Sequence, residues 1–274
     1  MTEMKETTQI KFRNLKKILK KMEKVAIAFS GGVDSSFLLR VSQVILKDNV
    51  IAITSNSPTF PRDELDFTKK LAKKWGFEHI IIKSKEMENQ NFVKNPKDRC
   101  YFCKQELFSK IKKLAEKKRI NYVLDGTNYD DLGDYRPGIK ALEELDIISP
   151  LKEVQLTKKE IRALSKKMSL ETWDKPSLAC LSSRFPYGVK ITQKKIKKID
   201  KAEQLIKDLG IHQVRVRFHG EVARIEIEKN DFQVILKNSD IVDKIKKLGF
   251  TYISLDLEGY RTGSLNEPLS ETLP

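Results

Sequence analysis

The sequence predicts an α/β protein in which a parallel-sheet domain is followed by a smaller α+β domain. Short apolar runs alternate with amphipathic helical segments through the first part of the chain, as is typical of strands buried on both faces of a parallel sheet. A loop rich in glycine and serine follows the first apolar run. Beyond residue 192 the predicted order changes to helix, strand, strand, helix and strand, so the alternation ends there.

The first domain is predicted to open with a basic amphipathic helix over residues 11–24, because Leu15, Ile18, Leu19 and Met22 repeat at helical spacing. Each predicted strand after it is a short apolar run. We expect strands at 25–29, 50–55, 79–83 and 122–126, and helices at 36–46, 61–76 and 104–119.

The pattern weakens after about residue 150. In "QVRVRF", apolar residues alternate with Arg215 and Arg217, so we expect the apolar residues to face a core and both arginines to face a surface or cleft. The expected elements are helices at 157–168, 193–209 and 231–248 and strands at 213–218, 222–228 and 251–257. The expected domains are 1–150, a loop-rich connection at 151–192 that carries Cys180, and a small α+β domain at 193–274.

The composition of the 274-residue chain is that of a globular protein with a polar surface, 39% hydrophobic and 33% charged. No apolar run approaches the length of a membrane span. The first residues have neither the apolar core nor the cleavage site of a secretory signal, so we expect a cytoplasmic location. Three cysteines, an odd number, argue against a disulfide framework.

The formal net charge of +15 suits an anionic partner such as a nucleotide, a phosphorylated small molecule or RNA. Lysine-rich runs such as "KKILKKMEK" recur within the amphipathic helices, so a solvated basic surface explains the charge equally well. Charge alone therefore does not choose a partner.

The segment "SGGVDS", Ser30–Ser35, lies between the first predicted strand and a helix. Gly31 and Gly32 allow a ligand to approach the backbone closely. The helix that follows presents free N–H groups to an anion, and Asp34 suits a magnesium ion beside a phosphate. The segment matches neither of the common glycine-rich nucleotide fingerprints. It is therefore either a phosphate-binding loop or an ordinary strand–helix turn with a serine or aspartate cap.

This segment resembles the pyrophosphate-binding loop of the PP-loop ATP pyrophosphatases, whose nucleotide domain has an adenine nucleotide alpha hydrolase-like fold. Members cleave ATP between the α and β phosphates, adenylate a substrate and leave pyrophosphate on the loop. The loop motif does not choose among members, which include tRNA thiolases and GMP and NAD synthetases. The resemblance implies that Asp34 holds Mg²⁺ and that ATP is bound by Ser30, Gly31, Gly32, Val33, Asp34 and Ser35.

Three further stretches narrow the resemblance to one family. They are "LDGTNYDDLGDYRPG" (124–138), "ACLSSRFPYG" (179–188) and "LDLEGYRTGSLNE" (255–267). Together they resemble LarE proteins, the ATP-dependent sulfur transferases that help to make the nickel-pincer nucleotide cofactor of lactate racemase. The resemblance implies that pyridinium-3,5-biscarboxylic acid mononucleotide is the substrate, and that its carboxylates become thiocarboxylates through acyl-adenylates.

The LarE resemblance also implies roles for individual residues. Lys104 matches an active-site lysine, with a surface lysine as the alternative reading. Arg215 and Arg217 match a pair of phosphate-binding arginines, and arginine suits bidentate phosphate contacts; two solvated strand arginines are the alternative. The other implied residues are Ser55, Gly126 and Asn128 for ATP, and Ser183, Arg184, Glu203, Glu226 and Arg261 for the substrate.

The three cysteines are Cys100 and Cys103, in a Cys-x-x-Cys pair, and Cys180. In many LarE proteins the residue matching Cys180 donates its own sulfur and becomes dehydroalanine, but those proteins lack the other two cysteines. The chain is instead similar to a cluster-dependent branch, in which three cysteines hold a [4Fe–4S] cluster whose fourth iron binds sulfide. A sacrificial catalytic Cys180, a zinc site and buried thiols remain as alternatives, although zinc lacks a fourth ligand in any matching motif.

The sequence thus favours a sulfur-transfer enzyme that acts on a small mononucleotide and draws on a sulfide source. A cluster-dependent PP-loop tRNA thiolase is the first alternative, since the basic charge fits tRNA, but the small domain has no recognisable RNA-binding motif. A non-catalytic ATP- or cluster-binding sensor is the second. We expect no membrane partner and no nucleic acid, and the family resemblance implies a homo-oligomer.

Overall fold

The computed structural model describes residues 6–133, 136–177 and 179–267. Within them the strands are β1 Val25–Ala28, β2 Val50–Asn56, β3 Glu78–Lys83, β4 Tyr122–Leu124, β5 Val214–His219, β6 Val222–Ile227 and β7 Tyr252–Leu255. The helices are α1 Glu6–Lys21, α2 Val33–Leu46, α3 Arg62–Trp75, α4 Gln90–Val93, α5 Arg99–Lys117, α6 Gly138–Glu144, α7 Pro150–Glu153, α8 Lys158–Lys167, α9 Gln193–Lys207, α10 Phe232–Lys237 and α11 Asp240–Lys246. None of the described helices has the length and apolar character needed to cross a membrane.

The chain folds into two compact units, and each unit uses two separate stretches of sequence. The first unit comprises Met1–Glu86 and Asp98–Leu178, and the second comprises Met87–Lys97 and Ala179–Pro274. The sequence-based boundaries at 150 and 192 do not coincide with this division. The expected division into three functional segments therefore stays a prediction.

The four strands of the first unit form a parallel sheet in the order β3-β2-β1-β4. Val25 of β1 pairs with Val50 of β2 on one side and with Tyr122 of β4 on the other. Most residues of β1 and β2 are buried, as expected for short apolar strands covered on both faces. The predicted α/β fold with a parallel sheet is confirmed.

Helices cover both faces of this sheet and leave one edge for a site. Leu15 of α1 and Phe37 of α2 belong to the core on one face, and Ile111 of α5 belongs to the core on the other. Because the strands are parallel, their carboxyl ends meet at the same edge of the sheet. The loop with Ser30 follows β1 there, and the loop with Gly126 follows β4.

Four expected helices depart from the sequence-based bounds by three residues or more, and one of them, α2, begins at Val33 rather than at residue 36. Helix α5 begins at Arg99 rather than at residue 104, so the cysteine pair lies in its first turn. The helix expected over 231–248 is two helices, because Asn238 leaves the helical conformation with φ −105° and ψ 69°. Helix α1 begins at Glu6 rather than at residue 11, and the buried hydroxyl of Thr8 in its first turn donates to Glu160.

The second unit contains a three-stranded mixed sheet in the order β5-β6-β7. Strands β5 and β6 are antiparallel, and β6 and β7 are parallel. Val214 and Val216 of β5 are fully buried, as the alternating pattern predicted. The segment 87–97 is fastened to this unit, because Nδ2 of Asn95 donates to the carbonyl oxygen of Pro186 at 2.6 Å.

Candidate active site

Residues Ser30–Ser35 join the end of β1 to the start of α2 in a tight loop. Gly31 has a φ of +72°, a conformation that favours glycine. A Cβ atom at Gly31 would lie 2.9 Å from Cγ2 of Thr68, so α3 leaves no room for a side chain there. Gly32 occupies the N-cap of α2 without a capping side chain. The first N–H groups of α2 are therefore available to an anion.

Hydroxyl groups brace this loop from within. The hydroxyls of Ser30 and Ser35 share a hydrogen bond of 3.1 Å, and the Ser35 hydroxyl lies 3.3 Å from the Gly32 carbonyl oxygen. Val33 is buried in the core. A Cβ atom at Gly126 would lie 3.0 Å from the backbone nitrogen of Ser35, so the loop after β4 packs directly on the loop after β1. The structure therefore brings together the predicted residues of both loops.

Asp34 lies in the first turn of α2 with its two carboxylate oxygens in different environments. Nζ of Lys158, the first residue of α8, donates to Oδ2. Oδ1 is buried and has no hydrogen-bond partner among the described residues. Burial raises the pKa of Asp34, and the positive charge of Lys158 opposes that rise. A buried carboxylate oxygen without a donor suits Mg²⁺, which prefers oxygen ligands.

Lys175 supports the same loop from the side of α3. Its Nζ donates to the carbonyl oxygen of Gly31 at 3.2 Å and to the carboxylate of Glu64. The ammonium group lies 3.7 Å from the centre of the Phe67 ring. Lys175 therefore fastens the glycine turn to α3 and places a positive charge next to the loop.

Lys104, the predicted active-site lysine, lies on the second turn of α5. Its Nζ lies 3.6 Å from Oδ2 of Asp125, the residue that follows β4. Asp125 also accepts hydrogen bonds from the hydroxyls of Thr127 and Ser149, at 2.5 and 2.6 Å. The ion pair places an ammonium group beside the loop that contains Gly126, at the same edge of the sheet as the phosphate loop.

Ser55 and Asn128 are the other residues predicted to bind ATP. Ser55 is half-buried near the carboxyl end of β2. Asn128 is buried, and its N–H donates to Asp131 at 3.0 Å, which orders the loop after β4. Direct contact of either residue with ATP stays a prediction. Asp134 and Tyr135, from the same sequence motif as Asn128, lie outside the described residues.

Cys100 and Cys103 lie three residues apart on the first turn of α5, so both side chains emerge on one side of the helix. Both are half-buried, which suits two ligands supplied by one helical turn. Cys180 belongs to the second unit and is exposed at the N-cap of the short 3-10 turn Leu181–Arg184. In the described part of either unit, no three side chains of His, Cys, Asp or Glu gather into a metal-binding group. A cluster held by all three cysteines stays a prediction.

In the second unit, Arg184 and Arg217 are each paired with a buried glutamate. Arg184 donates two hydrogen bonds to Glu203, at 2.7 and 3.0 Å. Arg217 donates two to Glu226, at 3.0 and 2.7 Å. Burial raises the pKa of Glu203, but the charge of Arg184 outweighs it and holds that pKa below its ordinary value. Both glutamates therefore hold arginines, and their direct contact with substrate stays a prediction.

The same arginines fix the backbone around Cys180. Nη1 of Arg184 donates to the carbonyl oxygens of Ala179 and Cys180, at 3.0 and 3.1 Å. The hydroxyl of Ser183 donates to the Cys180 carbonyl at 2.8 Å. Nη1 of Arg217 donates to the carbonyl oxygen of Ser183 at 2.8 Å. The exposed thiol of Cys180 therefore stands on a turn whose backbone is held in place.

Arg215 and Arg217 are only 8% and 6% exposed, so neither lies on an open surface, and their place in a substrate cleft stays a prediction. Nη1 of Arg215 donates to the carbonyl oxygen of Val214 at 2.7 Å, and its guanidinium lies 5.3 Å from the centre of the Tyr260 ring. Burial, and then the charge of Arg184, lower the pKa of Arg215 to about 10. A nearby anion would favour the charged form of this arginine.

Arg261 is the last residue predicted to bind substrate. It lies 3.0 Å from both Glu258 and Glu267 and keeps 28% of its side chain exposed. The hydrogen bond to Glu267 raises the pKa of Arg261. Its charge is already balanced by acidic neighbours, so a role in substrate binding stays a prediction.

Lys158 and Lys175 touch the predicted phosphate loop, yet the sequence analysis did not single them out. They lie 124 and 144 residues from Asp34 and Gly31 in the chain. Among 53 lysines and arginines, no local pattern distinguishes these two. The one available signal was the position of Lys175, five residues before Cys180.

The chain is similar to several known proteins. The asparagine synthase family model matches residues 14–127. The uncharacterized protein slr1717 of Synechocystis sp. is 42% identical over 264 residues, which cover 95% of this chain and 98% of the relative. The pyridinium-3,5-bisthiocarboxylic acid mononucleotide synthase of Lactiplantibacillus plantarum is 36% identical over 257 residues, 92% of either chain. A tRNA-specific 2-thiouridylase of Fusobacterium nucleatum is 33% identical over 192 residues, 56% of this chain and 53% of the relative.

Proposed function

This chain belongs to the LarE family of ATP-dependent PP-loop sulfur transferases, and on that premise we propose that it adenylates the carboxylates of pyridinium-3,5-biscarboxylic acid mononucleotide and converts them to thiocarboxylates. The similarity to the Lactiplantibacillus plantarum synthase supports this substrate. The observation that carries the proposal is the loop Ser30–Ser35 at the start of α2, with Gly126 packed on it and a carboxylate oxygen of Asp34 left without a donor.

The first half-reaction turns a carboxylate into an acyl donor. A carboxylate alone is a poor acyl donor, because its leaving group would be oxide. When its oxygen attacks the α-phosphorus of ATP, the bond to the β-phosphate breaks and pyrophosphate leaves. The N–H groups at the start of α2 hold that pyrophosphate, and the ammonium of Lys104 stabilises negative charge at the reacting phosphate. Asp34 would hold Mg²⁺, which would supply further neutralising charge.

The second half-reaction exchanges AMP for sulfur. A sulfur nucleophile attacks the acyl carbon, and AMP leaves with the electron pair of the acyl–oxygen bond. We assign the phosphate of the mononucleotide to Arg215 and Arg217, with Arg215 as the main contact. Arg217 already shares two hydrogen bonds with Glu226, whereas the charge of Arg215 is disfavoured by burial and by the nearby Arg184, so a phosphate beside Arg215 would stabilise that charge.

For the sulfur source we favour a [4Fe–4S] cluster held by Cys100, Cys103 and Cys180. Two half-buried thiols on one helical turn and one exposed thiol on a braced turn support this donor set. Three thiolates leave one iron of the cluster open to sulfide. A sacrificial Cys180 is the alternative, because its exposed thiol can itself attack an acyl-adenylate.

Pyrophosphate release tests the activation step. Purified protein is mixed with ATP and Mg²⁺, with and without the dicarboxylate mononucleotide, and the thiocarboxylate product is sought by mass spectrometry. We expect pyrophosphate release that depends on the mononucleotide, and about a 100-fold slower release in Asp34→Asn. The control is Asp48→Asn, a change at an exposed aspartate after α2. An equal rate of pyrophosphate release with and without the mononucleotide would contradict the proposed substrate.

Anaerobic purification tests the sulfur source. We expect iron and acid-labile sulfide in the wild type, and loss of both in Cys100→Ser and Cys103→Ser. Protein that lacks iron after reconstitution rules out the cluster. In that case one thiocarboxylate per protein, with Cys180 converted to dehydroalanine, identifies sacrifice.

The remaining alternatives differ in their partners. Similarity to a tRNA-specific 2-thiouridylase over 56% of the chain favours the tRNA thiolase as the second candidate. A mobility shift by tRNA at physiological salt, where weak charge-driven binding fades, would support it.

We further propose a reducing cytoplasmic setting, an external sulfide donor and a homo-oligomer. Pyrophosphate release with the mononucleotide excludes a non-catalytic sensor.

A further inference from the structure

The side chain of Lys104 runs along a confined path on the first unit. On one side of it lies the backbone of Gly138, the first residue of α6. A Cβ atom at Gly138 would lie 2.8 Å from Cδ and 3.3 Å from Cε of Lys104. A Cβ at 2.8 Å is closer than real side chains tolerate, so the absence of a side chain at residue 138 is what makes the path possible. Gly138 has no left-handed φ, so space and not backbone conformation calls for glycine here.

Asp125 lies at the end of this path. Its Oδ1 accepts hydrogen bonds from the N–H of Thr127 at 3.2 Å and from the hydroxyl of Ser149 at 2.6 Å. Its Oδ2 accepts a hydrogen bond from the hydroxyl of Thr127 at 2.5 Å and lies 3.6 Å from Nζ of Lys104. The neutral donors fix the carboxylate, which is itself buried. Asp125 is therefore a fixed carboxylate beside which the ammonium of Lys104 is placed.

The distance between the two charges decides what Lys104 can still do. A separation of 3.6 Å is within ion-pair range but longer than an N–H···O hydrogen bond. The pair therefore orients the ammonium without consuming one of its three donors on Asp125. The side chain keeps 33% of its surface exposed, so a ligand can reach the ammonium.

We propose that Gly138 and Asp125 form a slot that positions Lys104 for the adenylation step. This inference rests on the proposed function of the site. Both are positioning residues: neither touches a reacting atom, and each acts only through Lys104. The slot acts by holding the ammonium where charge develops on the phosphate, which lowers the cost of reorganising it during the reaction.

The first test uses the ligand-free protein and does not depend on activity. Lysines are acylated with acetic anhydride, and the rate at each site is followed by mass spectrometry. In Gly138→Ala the new methyl group displaces the flexible side chain of Lys104, and the carbonyl oxygen of Cys100, which would lie 3.3 Å from the new Cβ, has to shift by a few tenths of an ångström. Urea-induced unfolding of the variant checks that the fold survives. We expect faster acylation of Lys104 in this variant, while Lys244, an exposed lysine of the second unit, keeps its rate.

The matched control is Gly133→Ala. A Cβ atom there meets no atom within 4 Å, and Gly133 has no left-handed φ. We expect wild-type acylation of Lys104 in this control. Equal Lys104 rates in Gly138→Ala and Gly133→Ala would overturn the slot.

The second test asks whether the slot matters for chemistry. Exchange between ATP and inorganic pyrophosphate is measured with the mononucleotide present. We expect kcat to fall by about 100-fold in Gly138→Ala, as for a catalytic group displaced by about an ångström, with little change in the KM for ATP. Asp125→Asn should lower kcat less, because Asn keeps acceptor contacts with Thr127 or Ser149. A rise in KM with unchanged kcat would overturn the positioning role.

Chemical rescue separates a slot from a general packing effect. In Lys104→Ala the slot is empty, and we expect added ethylamine to restore part of the exchange. The double variant Lys104→Ala/Gly138→Ala fills the slot, so rescue should disappear, whereas Lys104→Ala/Gly133→Ala should keep it. Rescue in both double variants overturns the proposal. A protein without any exchange activity contradicts the proposed function instead, and the acylation rates then still decide the slot.

Discussion

The two units of the molecule hold their positive charges in opposite ways. In the first unit Lys104, Lys158 and Lys175 each face one carboxylate, and their side chains keep 33%, 32% and 17% of their surface exposed. In the second unit the side chains of Arg184 and Arg217 keep 2% and 8% of their surface exposed, and each donates two hydrogen bonds to one buried glutamate. The first unit uses the compact ammonium groups of partly exposed lysines. The second unit uses the planar guanidinium groups of buried arginines, each fixed by paired hydrogen bonds.

This difference matches the chemistry proposed for each unit. Adenylation develops negative charge at the reacting phosphate, and a positioned lysine places a compact ammonium charge there. Arginine offers a fixed fork, which suits the recognition of a group that does not change during the reaction. The first unit would then serve the reaction and the second would serve binding and the placement of Cys180.

The largest expected effect is on the stability of the second unit. Arg184→Met leaves the carboxylate of Glu203 buried without its charged partner. We expect the free energy of unfolding to fall by about 3–5 kcal/mol, the usual cost of breaking a buried ion pair from one side. Urea-induced unfolding measures it. Arg184→Met/Glu203→Met should recover much of the loss, because both charges are then gone.

The control for this prediction is an exposed pair in the same unit. Lys244 and Asp240 lie 2.7 Å apart with 50% and 61% of their side chains exposed. Lys244→Met should change the free energy of unfolding by less than about 1 kcal/mol, because water screens such pairs. If Arg184→Met costs no more than Lys244→Met, the buried arginines are not the fixed framework that the comparison requires.

The lysines of the first unit should behave in the reverse way. We expect Lys158→Met and Lys175→Met to lower the free energy of unfolding by less than Arg184→Met does, since these lysine pairs keep between 13% and 32% of each side chain exposed. ATP–pyrophosphate exchange should fall by about 100-fold in each, because one charge next to the phosphate loop is lost. Lys74→Met, at an exposed pair with Glu171, is the control for exchange. Large destabilisation with normal exchange would remove the distinction between the units.

The fold and the phosphate loop could be predicted because their signals are local. Five consecutive apolar residues before "SGGVDS" specify a buried strand followed by a turn with two glycines. Gly31 shows why the motif is strict, since both its φ of +72° and the nearby Thr68 exclude a side chain. Each of these constraints acts within one strand–loop–helix segment or on its nearest neighbour.

What the sequence did not predict depends on contacts between distant segments. Lys158 reaches Asp34 across 124 residues, and nothing in "TKKE" marks it among so many lysines. The burial of Arg215 and Arg217 was missed, because alternation shows that two residues share a face but not what covers that face. The segment 87–97 joins the second unit through Asn95, a contact made with Pro186. Such contacts between distant residues follow from the tertiary fold and produce no periodic pattern in the sequence.

The smallest expected effect concerns Glu160, a carboxylate of the first unit that combines an ion pair to Lys11 with helix capping. Glu160 closes the start of α8 in a capping box with Thr157, and it accepts hydrogen bonds from Thr8 and Lys11. Burial raises its pKa, but the hydrogen bonds from the Thr157 N–H, Lys11 and Thr8 outweigh this and lower the pKa to about 2. A folded-state pKa below the ordinary value of 4.5 means that the unfolded chain binds the proton more tightly.

The stabilisation by Glu160 should therefore be complete above about pH 4.5 and should fade as the pH falls toward 2. Glu160→Gln keeps a capping side chain but loses the charge, so we expect it to be less stable than wild type by about 0.5–1 kcal/mol at pH 7. The difference in the free energy of unfolding between wild type and Glu160→Gln should become smaller at pH 3 and nearly vanish at pH 2, as measured by thermal unfolding. Glu171→Gln, at an exposed pair, should show no such narrowing. A stability difference independent of pH would mean that the shape of the side chain alone, and not the ionised carboxylate paired with Lys11, stabilises this helix start.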